Sequence, residues 1–164
     1  MVESKISSLL SFKNRKEWRS WLEKNHATSK EVWLIHYKKL SGKKQLDHIE
    51  AVEEALCFGW IDSTLKKVDE DRFILKYSSR KQKSIWSKIN KETAEKMISL
   101  GKMTPEGFNK IKQAKEHGFW DTAYTSQVKE RLPMDLQKAL QENAIAWQNF
   151  QNFANSYRNM YIYW

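Results

Sequence analysis

Glu54-Ala-Leu-Cys-Phe-Gly-Trp-Ile-Asp-Ser63 is the stretch where a helical pattern gives way to a strand pattern in one step. Upstream, Asp47 stands as an N-cap with Glu50 three residues on, the spacing of a capping box. Ile49, Val52 and Leu56 recur on one face, so the sequence predicts a helix that buries them and leaves Glu50, Glu53 and Glu54 elsewhere. Gly59 suits the left-handed position that stops a helix. From Trp60 to Val68 the pattern alternates, with Trp60, Asp62 and Thr64 on one side and Ile61, Ser63 and Leu65 on the other, the period of a strand.

Working outward, Arg72 to Ser78 alternates in the same way, and Asp69-Glu70-Asp71 reads as the hairpin connection between the two strands. Glu31 to Lys38 is rich in β-branched and aromatic residues on both sides and reads as a central strand. Lys38 to Lys44 follows as an exposed basic loop. A first helix is expected over 14–25, capped by Asn14, with Trp18, Trp21 and Leu22 on one face. Beyond the hairpin, Trp86, Ile89, Thr93 and Met97 have helical spacing that stops near Gly101. Thr104-Pro105-Glu106 then opens a helix with a cap, a proline in the first position and an early acid. Phe119 to Arg131 has little pattern. Leu132-Pro133 and Asn143 each start a further helix, and Tyr157 to Trp164 carries an apolar pattern to the last residue.

The expected fold is α+β: a small three-stranded, mainly antiparallel sheet packed by helices, with a helical C-terminal region. Residues 1–120 are expected to form the core domain and 121–164 the helical region. At 164 residues the chain can bury a core without disulfides or metal. One cysteine excludes an intramolecular disulfide framework and points to a reducing compartment. No stretch approaches the run of about 20 apolar residues that a spanning helix needs. The N-terminus lacks a secretory pattern. The cytoplasm is the expected location.

The formal charge of +9 favours anionic partners, from phosphorylated metabolites to nucleic acid. From Lys76 to Lys91 there are six basic residues and no acid. Lys76, Arg80, Lys81, Lys83 and Lys88, interleaved with Tyr77 and Trp86, form a candidate anion or nucleic-acid surface, although Trp86 also lies on an apolar stripe. Trp60 and Asp62 share one side of their strand at the helix-to-strand switch. With Arg80 and Trp86 they outline a candidate pocket for a small anionic or aromatic ligand. Asp62 also has a structural reading, as a partner of Arg80 or Lys66.

Cys57 falls in the last turn of its helix, where the carbonyl end disfavours a thiolate, so it reads as a buried structural thiol. His26, His36, His48 and His117 show no metal-ligand spacing, and no glycine-rich phosphate loop is present, so no metal or cofactor is expected. A general base, Asp62 or Glu54, would require one of these carboxylates to be buried with a raised pKa.

Several runs resemble the YdeI/OmpD-associated (bacteriocin-protection) family. They are Trp33-Leu34 with Tyr37-Lys38-Lys39, the opening stretch 54–63, Ser84 to Asn90, Gly101 to Gly107, and Pro133-Met-Asp-Leu with Phe150 to Trp164. The resemblance runs from about Trp18 onward. It departs at Ser79-Arg80, where the family has Pro-Arg, and in lacking a basic helical tail, so the chain reads as shorter than the family pattern. The resemblance implies a role in protection against bacteriocins and cationic peptides, and no agreed reaction. The leading expectation is therefore a non-enzymatic cytoplasmic binding or stress-resistance module. Nucleic-acid binding through 76–91 and an enzyme using Asp62 or Glu54 are the alternatives. The apolar C-terminal end is expected to favour self-association.

Overall fold

A computed structural model describes residues 9–38, 45–121, 123 and 131–162. Most of the expected basic loop at 38–44, much of the connector at 119–131, and the last two residues lie outside them. By its internal contacts the chain divides into two compact units, residues 1–82 with 93–113, and residues 83–92 with 114–164.

The first unit holds a four-stranded sheet, in the order β1 (Leu9–Leu10), β2 (Glu31–Tyr37), β4 (Arg72–Ser79), β3 (Trp60–Lys67). The class is α+β, and the expected strand count of three is corrected to four. The added strand pairs in parallel with β2, Leu9 against Trp33 and Leu10 against Leu34. Two residues are too few to show a period, so only their pairing reveals a strand. The other pairings are antiparallel. Asp69 accepts from the backbone N–H groups of Asp71 (3.0 Å) and Arg72 (2.7 Å) and closes the β3–β4 hairpin.

The alternation expected along β3 breaks at one point. Asp62 faces Tyr77, but the next registered pair is Leu65 with Leu75, so Ser63 and Thr64 together oppose one residue. This bulge moves Leu65 onto the side of Asp62, opposite to the side that strict alternation gives. The side shared by Trp60, Tyr77, Leu75, Val32 and Leu34 belongs to the core.

Helices α1 (Arg15–Asn25) and α2 (His48–Cys57) contribute to that core. Asn14 accepts from the N–H of Glu17 and Asp47 from that of Ile49, so both expected caps form. Trp18 and Leu22 are fully buried. Trp18 stacks on Trp21 at 5.3 Å, meets Tyr77 edge-on at 5.6 Å, and donates its Nε1–H to the Ala51 carbonyl at 3.0 Å. The face expected of α2 is corrected. Ile49 is 63% exposed, while Glu53 and Glu54 are buried at 3% and 1%.

Helices α3 (Lys88–Ser99) and α4 (Pro105–Glu116) contain the boundaries between the units. In the second unit Trp86 packs edge-on against Trp120 at 4.9 Å, and Lys91 and Lys115 lie over the Trp120 ring at 5.4 and 5.5 Å. Helices α5 (Met134–Gln141), α6 (Ala144–Asn152) and α7 (Asn155–Ile162) complete it. Asn143 caps α6 through Ile145 and Ala146, as its sequence position predicts. Phe150 is buried under the Arg158 guanidinium, and Phe153 stacks on Tyr161 at 5.8 Å. Among the described residues no helix is long and apolar enough to cross a membrane.

Candidate functional site

The site grows from the end of α2. Gly59 has φ +69°, the left-handed conformation that the helix stop requires. The start of α4 is set against this end. Thr104 donates its hydroxyl to the Cys57 carbonyl at 2.6 Å, and its backbone N–H reaches the same oxygen at 3.2 Å. An unsatisfied C-terminal carbonyl of one helix is thus met by the capping residue of the next. The approach is close enough to need two glycines. A Cβ on Gly107 would collide with the Cys57 carbonyl oxygen and lie 2.9 Å from that of Leu56, and one on Gly59 would lie 2.7 Å from Lys110 Cγ.

Beside this junction is a cleft of about 650 Å³, lined among others by His26, Phe58, Trp60, Ser79, Glu106 and Lys110. Trp60 is held rigidly at its base. Its Nε1–H donates to the His26 carbonyl at 3.1 Å, and its ring meets Trp21 edge-on at 5.9 Å. The His26 ring bonds through Nδ1 to the Leu22 carbonyl at 2.7 Å, which makes Nδ1 the donor and leaves Nε2 3.9 Å from the Glu106 carboxylate. Lys110 has its pKa lowered, first by burial and then by the positive charge of Arg80.

The residues proposed from sequence are distributed as follows. Trp60 is 1% exposed at the cleft. Arg80 is buried, and its backbone N–H donates to the Gly59 carbonyl at 2.9 Å. Asp62 lies 3.5 Å from His48, in place of the expected Arg80 or Lys66. Trp86 is buried against Trp120 in the second unit. Of the basic run, Lys76 sits 3.3 Å from Glu31 and over the Trp33 ring, and Lys81 is exposed in the same unit. Lys83 and Lys88 are exposed in the second unit.

Sequence reasoning missed the charge cluster between α1 and α2. Arg19 donates to Glu54 at 2.7 Å, Arg15 lies 3.6 Å from Glu54 and also engages Glu53, and Lys96 reaches Glu53 at 2.5 Å. Buried carboxylates persist only when paired in this way. Burial pushes the Glu53 pKa up, but the bonds from Lys96 and Arg15 outweigh it and leave the net shift downward. The legible signal was the complementary spacing: Arg15 and Arg19 four apart on one helix, Glu50, Glu53 and Glu54 on the next. A general-base reading of Glu54 needs a carboxylate free to take a proton, and two guanidiniums occupy it instead. Cys57 is fully buried, and burial, then Glu54, raises its thiol to about 11.

A second polar group lies around β2. His36 is buried and stacks on Phe73 at 5.3 Å. The Tyr77 hydroxyl is 3.5 Å from its Nε2, and the His48 ring is edge-on at 5.8 Å. His36 and His48 line a cleft of about 240 Å³. Burial, then the charge of His48, lowers His36 to about 4, so it is neutral near pH 7. Among the described residues no group of three or more histidine, cysteine or carboxylate side chains is arranged to hold a metal ion.

Residues 10–110 match the family described as a domain of unknown function (DUF8412). Residues 131–164 match the family described as Bacteriocin-protection, YdeI or OmpD-Associated. The second match bears out the resemblance read from Pro133 to Trp164, whereas the run 54–63 falls inside the first. No curated protein and no solved structure matches the chain. The chain therefore belongs to the DUF8412 family, whose model covers its sheet-bearing part, and is similar to the Bacteriocin-protection, YdeI or OmpD-Associated family over residues 131–164.

Proposed function

We propose that the chain is a non-enzymatic binding module of bacteriocin and cationic-peptide resistance, acting in the cytoplasm, with its ligand held in the cleft beside Trp60. The observation that carries this reading is the cleft itself. It lies at the helix-to-strand switch, its walls come from loop, strand and helix of one unit, and rigid hydrogen bonds hold its base. The charge of +9 makes direct capture of a cationic peptide unfavourable, which supports action through another ligand. The single cysteine supports the reducing compartment. A nucleic-acid role draws less support, because Arg80 is buried and Lys76 is engaged by Glu31.

A small-molecule thermal-shift screen tests the reading, with Asn109→Trp as a variant, since Asn109 also lines the cleft and is exposed on α4, so that the indole fills it. Ligands that stabilise the wild type are expected to lose their effect in Asn109→Trp. A screen without hits, or hits indifferent to the variant, sinks the proposal. Expression in a sensitive strain should also raise survival under a cationic peptide in the wild type and not in the variant.

A further inference from the structure

We propose that the cleft beside Trp60 is specific for anions, with Lys110 as its anchor and Arg80 adjoining it at Gly59, and that it takes a ligand bearing one carboxylate or phosphate group. The inference rests on the cleft reading above and chooses between the two ligand classes that the sequence leaves open.

Three observations carry it. First, the aromatic residues at the cleft offer little ring surface. Trp60 is 1% exposed and Phe58 is 5% exposed, and the Trp60 N–H is already bonded to His26. Stacking an aromatic ligand needs an open ring face, which these residues do not present. Second, Lys110 is placed by construction. Its stem runs over Gly59, where the absence of a Cβ leaves room for it. Among the described residues no carboxylate lies within ion-pair distance of its ammonium. Glu106 also lines the cleft, but its carboxylate lies 3.1 Å from the Thr104 hydroxyl oxygen and 3.9 Å from His26 Nε2 rather than on Lys110. Third, Arg80 and Lys110 both adjoin Gly59: the Arg80 backbone N–H donates to the Gly59 carbonyl at 2.9 Å, the Lys110 stem passes where a Gly59 Cβ would be, and the Arg80 charge is, after burial, a cause of the lowered Lys110 pKa. Two neighbouring cations at a partly dry surface repel one another, and a bound anion relieves that repulsion. The Glu106 carboxylate on the same cleft disfavours ligands with several anionic groups, hence the restriction to one.

Titration calorimetry with inorganic phosphate, acetate and benzoate, against the neutral probe benzamide, tests this on the full chain. Lys110→Met keeps the stem over Gly59 and removes the charge. Lys110→Arg keeps the charge. The expected result is binding of at least one anion, no binding of benzamide, roughly tenfold weaker binding in Lys110→Met, and recovery in Lys110→Arg. Preference for phosphate over the carboxylates, or the reverse, identifies the source of the anionic group. Benzamide binding as well as benzoate, undiminished in Lys110→Met, overturns the anion inference and leaves the cleft reading standing. Failure of all four probes overturns the inference. A thermal-shift screen that does find cleft ligands then keeps the cleft reading, and a screen without hits removes both.

Discussion

The hydroxyl of Thr104 donates to the carbonyl oxygen of Cys57 at 2.6 Å, and through this bond the start of one helix closes the end of another. Thr104→Val keeps the shape and removes the donor. A loss of about 1–2 kcal/mol is expected in urea unfolding, the range for an unsatisfied carbonyl partly compensated by the remaining backbone bond. An unchanged midpoint would mean that the backbone N–H of Thr104 alone satisfies Cys57.

Gly59 meets two demands, positive φ and the approach of Lys110. Gly59→Ala is expected to cost about 1–2 kcal/mol for the left-handed backbone alone, with a further penalty from the Lys110 stem. Anion affinity should fall with it, because the stem must move. Calorimetry on the folded variant separates the two effects. Affinity equal to the wild type would show that Lys110 does not depend on this contact.

The buried carboxylates and the exposed isoleucine of α2 invert the expectation from sequence. Glu54→Ala removes the carboxylate that Arg19 and Arg15 share while leaving them Glu23 and Glu53, and about 1–3 kcal/mol of destabilisation is expected. Ile49→Lys should change stability by no more than about 0.5 kcal/mol, as for other exposed positions. Urea unfolding of the two variants distinguishes this arrangement from an acid-out helix, for which the costs would be reversed.

His36 makes stability depend on pH. Its folded pKa of about 4 lies below the ordinary value of 6.5 because of burial first and His48 second. Between these values the unfolded chain takes up a proton that the folded one does not. Stability therefore falls as pH drops through this window, by up to about 3 kcal/mol. The paired Glu53 acts in the same direction at lower pH, since a depressed carboxylate stabilises above its unfolded value of 4.5 and loses that contribution as it protonates. Urea midpoints from pH 7 to pH 4.5 should decline in the wild type and flatten in His36→Phe. Equal slopes would place the titrating group elsewhere.

Cys57 is expected to be inert. With a thiol near 11 and no exposed surface, it should resist Ellman's reagent at pH 8 in the folded protein and react at once in denaturant. Fast labelling under native conditions would show that the α2–α4 junction opens.

The sequence by itself determined the local elements of this protein. Asn14, Asp47 and Asn143 cap helices because their side chains reach backbone N–H groups two or three residues on. Gly59 stops α2 through its own backbone freedom, and the β3–β4 hairpin follows from alternation interrupted by an acidic turn. Each of these depends on neighbours in the chain. Trp60 could be placed at a cleft wall because it follows the helix stop directly. Tertiary structure decided what depends on distant residues. The two-residue β1 exists only through its pairing with β2, and the bulge that moves Leu65 appears only when β3 is registered on β4. Glu53 and Glu54 can be buried because Arg15, Arg19 and Lys96 arrive from other helices, and burial of a charge is set by its partners rather than by periodicity. The cleft is of the same kind. Lys110 lies fifty-one positions beyond Gly59, and only the close seating of α4 on the end of α2, which Gly59 and Gly107 permit, brings it to the cleft that Trp60 also lines.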